Sequence, residues 1–86
     1  MNSLPVLNPI ETQVLQILMD RGNIAGYDLT SLTGGKSTED LMAAVATLRK
    51  NDLIQVVGNS STEKDFQFSR FAVLPTAKSI ASILIK

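Results

Sequence analysis

The stretch STEDLMAAVATLRKNDLI, residues 37–54, decides the fold. Ser37 is suited to cap a helix, because its hydroxyl oxygen accepts a first-turn N–H, and Asp40 stands where a capping acid belongs. Leu41, Val45 and Leu48 then recur at helical spacing and define one buried stripe. The opposite face carries Glu39, Asp40, Ala43, Ala46, Thr47 and Lys50, with Met42 and Arg49 on the flanks. The helical pattern stops at Asn51-Asp52 and passes directly into residues 53–57, LIQVV, a β-branched run that reads as a strand.

Upstream, Asn8-Pro9-Ile10-Glu11 is a helix start: Asn8 caps, Pro9 suits the first helical position, and Glu11 returns a bond to the cap. Ile10, Val14, Ile17 and Leu18 recur at helical spacing, with Glu11, Gln13, Gln16 and Asp20 largely opposite, and Gly22 is the stop. The first helix is therefore expected over residues 9–21. Residues 23–26 are too short for a helix and read as a brief strand or extended link. Leu29 and Leu32 mark a two-turn second helix, ended by Gly34-Gly35, and a short glycine turn between two helices is the joint of a helix-turn-helix.

Downstream, residues 58–65 are polar and turn-forming, and residues 66–74 read as a returning strand. Its alternation is faulty, since Phe66 and Phe68 share one parity and Phe71 and Val73 the other. Either a bulge near Ser69-Arg70 reconciles them or one pair faces out. Pro75 and Thr76 open a last helix containing Ala77, Ile80, Ala81, Ile83 and Leu84. This order predicts an α+β, mostly helical domain of the winged helix-turn-helix kind: a three-helix core, a two-stranded wing and a C-terminal helix. Residues 1–8 form an N-terminal extension and residues 9–86 the domain.

The chain resembles the winged-helix family of bacterial regulators, especially the small multiple-antibiotic-resistance-like and phenolic-acid-regulator-like domains. The resemblance rests on Gly26-Tyr27-Asp28-Leu29, on Leu48-Arg49-Lys50-Asn51-Asp52-Leu53-Ile54, and on Phe71-Ala72-Val73-Leu74-Pro75-Thr76. Where Asp52 stands the family commonly has glycine, and aspartate tolerates the left-handed backbone such a site needs. The resemblance implies that the third helix enters the major groove of DNA while the wing touches the backbone. Ser37, Thr38, Met42, Ala43 and Ala46 would then lie against the groove, with Lys36 and Lys64 on phosphates.

Charge runs against this. Eight basic residues balance eight acidic ones, whereas phosphate neutralisation supplies most of the affinity of nucleic-acid binders. The first turn of the third helix offers Thr38, Glu39 and Asp40. Carboxylates repel phosphates, although either accepts from a cytosine amino group. Basic support comes from Lys36, Lys64 and Arg70, and Glu63 and Asp65 offset Lys64. Two readings follow: a DNA-binding transcriptional regulator, or a protein-interaction module using the neutral Met42-Ala43-Ala46 surface and exposed Phe71 and Val73.

Other chemistries find little material. With no histidine and no cysteine there is no imidazole or thiolate ligand and no disulfide framework, so no metal, cofactor or enzymatic activity is expected. Gly34-Gly35-Lys36-Ser37-Thr38 imitates the end of a phosphate-binding loop, but Thr30 stands where its first glycine belongs. The better reading is a helix-helix turn followed by a cap. Residues 1–8 hold no basic residue and no long apolar run, and no segment nears the roughly 20 apolar residues needed to span a bilayer, so a cytoplasmic protein is expected. Finally, Ile80, Ile83, Leu84 and Ile85 crowd one short helix, and Leu4, Val6 and Leu7 the other end. That apolar surplus predicts a homodimer, with Ile80, Ile83 and Leu84 at its interface.

Overall fold

In a computed structural model, residues 6–57 and 69–85 are described. The elements run α1 (Pro9–Arg21), β1 (Ile24–Ala25), α2 (Gly26–Leu32), α3 (Thr38–Lys50), β2 (Ile54–Val57), β3 (Arg70–Val73) and α4 (Lys78–Leu84), with a 3-10 turn at Pro75–Ala77 before α4. The expected element order is met throughout the described residues.

α1 begins with a complete capping box. Asn8 Oδ1 accepts from the Glu11 N–H at 2.8 Å, and the Glu11 carboxylate accepts from the Asn8 N–H at 3.0 Å. This overturns the placement of Glu11 on the solvent side. It is only 8% exposed, because Glu11, Val14, Leu15 and Leu18 share one face at helical spacing. The buried face is thus rotated from the expected stripe: Leu15 is fully covered, while Ile10 and Ile17 pack only at the margin. Gly22 ends the helix at φ 81.

α2 closes through Thr33, whose hydroxyl donates to the Leu29 carbonyl at 2.6 Å. Gly34 and Gly35 both take left-handed φ values, 79° and 89°, and the Gly35 N–H donates to the Thr30 carbonyl at 2.8 Å. Two successive residues in this region call for glycine. The Gly-Gly pair is a helix-stopping turn. Ser37 then caps α3, its Oγ accepting from the Asp40 N–H at 3.2 Å.

The exit from α3 sets the sheet. The Leu53 N–H donates to the Leu48 carbonyl and the Asp52 N–H to the Arg49 carbonyl, both at 3.0 Å. With Asp52 at φ 57, this is a Schellman closure, which brings Leu53 back onto Leu48. Both leucines are buried. The chain leaves the helix directly as a strand because this closure reverses it without a linker.

The strands form an antiparallel sheet in the order β1-β3-β2. Ile24 pairs with Phe71, and Ile54 with Val73. The expected two-stranded wing therefore has a third strand at its base. Phe71 and Val73 are buried, so the idea that they face solvent and could serve a protein partner is overturned. Their alternation turns them into the core, where β3 packs against α1, and leaves Arg70 outside. Phe66 and Phe68, and any bulge between them and Arg70, lie outside the described residues. The core joins Val14, Leu15 and Leu18 to Leu29, to Leu41, Ala44, Val45 and Leu48, and to Leu53, Ile54, Phe71 and Val73. Ala77 and Ala81 complete it from the C-terminal side. The last helix starts later than expected, because Pro75 and Thr76 belong to the 3-10 turn.

Candidate nucleic-acid interface

The packing of α3 assigns its two faces. Leu41, Ala44, Val45 and Leu48 are buried, so a row at helical spacing, Glu39, Ala43, Ala46 and Lys50, is left exposed on the other side. Thr38, Met42 and Thr47 flank it and are half-buried. Ala44 is the one core position on α3 that the sequence stripe did not include.

Of the residues expected at the interface, Lys36 and Ser37 are exposed in the approach to α3, and Ala43 and Ala46 are exposed along it. Thr38 lies half-buried in the first turn, and Met42 divides its side chain between surface and core. Ser37 already accepts the capping bond, which leaves its hydroxyl proton to donate elsewhere. Lys64 lies outside the described residues. Ala43 and Ala46 thus share the outer row of α3, and Lys36 and Ser37 are exposed in the turn that leads into it.

The electrostatics of this surface are graded along the helix. Glu39 and Asp40 stand in the first turn and Arg49 and Lys50 in the last, all exposed. Each pair complements the helix dipole at its end. Arg49 and Lys50 add positive charge to that of Lys36, at the end of the helix that leads into β2. Their signal in the sequence was their place in the final turn.

The sheet adds a long-range feature. Arg70 Nε donates to Asn23 Oδ1, and Arg70 Nη2 donates to the Asn23 carbonyl at 3.2 Å. Sequence reading did not single out Asn23, because 47 positions separate the two residues and only the pairing of β1 with β3 makes them neighbours.

The residues expected at a dimer interface divide. Ile80 and Ile83 are 39% and 58% exposed, whereas Leu84 is half-buried and packs against the core. Val6 is exposed and Leu7 packs against the core.

A groove of about 230 Å³ between α1, β3 and α4 has Leu18, Met19, Ala72 and Val73 in its walls, together with Asn23 and Lys78. It is smaller than the roughly 300–1,000 Å³ of most small-molecule sites. Among the described residues no group of three or more histidine, cysteine, aspartate or glutamate side chains is placed to hold a metal. No described helix is long and apolar enough to cross a membrane.

No protein-family model and no curated protein matches the chain. Two solved structures are similar to it. A MarR-family transcriptional regulator from Silicibacter pomeroyi superimposes with a TM-score of 0.71 at 17% identity, over 91% of this chain and 49% of that one. The adhesin competence repressor AdcR from Streptococcus pyogenes gives 0.69 at 20% identity, over 91% and 55%. The chain spans about half the length of each. Identities this low speak to architecture alone: the fold is a winged helix-turn-helix, of the kind seen in MarR-family regulators.

Proposed function

We propose that this chain is a winged-helix DNA-binding protein, a small transcriptional regulator that acts in the cytoplasm as a homodimer. One observation carries the reading. In an α2-turn-α3 unit, the second helix holds the core with one face and leaves the other, Glu39, Ala43, Ala46 and Lys50, uncovered. That is the disposition of a helix that docks in a major groove. The small side chains of Ala43 and Ala46 let the helix lie close to base edges, and alanine methyls suit thymine methyls. Ser37, Thr38 and Met42 would border the contact, with Lys36 and Lys64 on phosphates. Both similar structures are named for regulation, one as a transcriptional regulator and one as a repressor, which supports the reading by analogy.

A second reading has its own observation. Formal net charge is zero, and the first turn of α3 exposes Glu39 and Asp40, so Met42, Ala43 and Ala46 could instead meet a protein partner. Buried Phe71 and Val73 give this reading no support.

Fluorescence anisotropy with a mixed-sequence duplex at about 50 and 200 mM salt separates the two, because phosphate-driven binding weakens strongly over that range. Binding that collapses with salt, and that weakens further in Lys36→Gln, is expected for the regulator. A folded protein that binds no duplex at the lower salt would overturn it in favour of the interaction module.

A further inference from the structure

Arg70 opens β3, in register with Ala25 on one side and Val57 on the other. Phe71 and Val73 turn inward, so Arg70 belongs to the outer face and is exposed. Among the described residues, the pair Val57 and Arg70 is the ladder's last on the side of residues 58–68. Ala25 leads straight into α2, whose Gly26 N–H donates to the Ser69 carbonyl at 2.8 Å. Arg70 therefore stands where the wing meets the helix-turn-helix unit.

Its guanidinium is oriented by Asn23, whose side-chain and main-chain oxygens each accept one N–H. Both acceptors are neutral. A carboxylate would hold the group as well but would cancel its charge. Asn23 itself adds no negative charge, and its two oxygens take only two of the five guanidinium N–H groups. A cation ordered in this way also loses less rotamer freedom when it binds.

We infer that Arg70 is a phosphate-contacting residue at the root of the wing and that Asn23 is its positioning residue. The inference rests on the DNA-binding reading above, and it adds a fixed positive charge that the neutral composition conceals.

The test measures the salt dependence of duplex binding for the wild type, Arg70→Gln, Arg70→Lys and Asn23→Asp, with folding verified by circular dichroism. Each phosphate contact contributes about 0.9 to the log-log salt slope. Arg70→Gln should therefore reduce the affinity lost between 50 and 200 mM by roughly three- to four-fold. Asn23→Asp should do the same while remaining folded, because a carboxylate at that position pairs with the guanidinium and neutralises it. Arg70→Lys should keep the wild-type slope with weaker affinity, since the charge survives but the oriented fork does not. A wild-type slope in Arg70→Gln would overturn the inference and leave DNA binding standing. A wild-type slope in Asn23→Asp would overturn the role of Asn23. Absence of binding by the folded wild type would overturn both the inference and the reading beneath it.

Discussion

Asp52 is the one described non-glycine residue with positive φ, at 57°, and it supplies a sharp test of how α3 is joined to the sheet. Its N–H donates to the Arg49 carbonyl while the next residue, Leu53, donates to Leu48. A side chain at this position must therefore take the left-handed backbone or the closure opens. For an ordinary L-residue that conformation costs about 1–2 kcal/mol, and less for aspartate, which is enriched there. Glycine removes the cost but adds about 0.4–1 kcal/mol of freedom to the unfolded chain. The expected order of stability is thus Asp52→Gly equal to or above wild type by up to about 1 kcal/mol, and Asp52→Ala below wild type by about 1 kcal/mol. In a domain of this size each kcal/mol moves the melting midpoint by roughly 4–8 °C. Thermal and urea unfolding of the three proteins would resolve the order. If Asp52→Ala matched or exceeded Asp52→Gly, the left-handed closure would not be what holds Leu53 against Leu48, and the account of the α3–β2 joint would be wrong.

Two further predictions concern packing and association. Leu48 is fully buried and occupies both the core and the Schellman contact, so Leu48→Ala should cost about 2–5 kcal/mol, measured by urea unfolding. A loss under about 1 kcal/mol would show that the site collapses around the deletion. Ile83→Glu, at an exposed position of α4, should convert the proposed dimer to a monomer in light scattering with little change in monomer stability. Leu84→Ala, which removes a side chain packed on the core, should instead lower stability. Identical masses for wild type and Ile83→Glu would remove Ile83 from the interface.

Local chemistry was legible in the residues themselves. Asn8 with Glu11, Ser37 with Asp40, Gly22 and the Gly34-Gly35 pair set helix boundaries, because caps and left-handed turns depend on side chains within a few positions of the backbone groups they serve. The row on α3 was legible for the same reason: Leu41, Val45 and Leu48 fix which side is inside, and Ala43 and Ala46 follow on the other. What tertiary structure decided were matters of facing and partnership. Glu11 lies inward because the α1 helix, rolled onto the core, buries Leu15 instead of Ile17, and helical spacing alone leaves that rotation free by a residue. Phe71 and Val73 face the core because β3 is held in register between β1 and β2, and parity within one strand does not say which side is covered. Arg70 finds Asn23 because a two-residue strand places them together across 47 positions. Periodicity describes one element at a time, whereas a face acquires an inside, and a cation its partner, only when another element arrives against it.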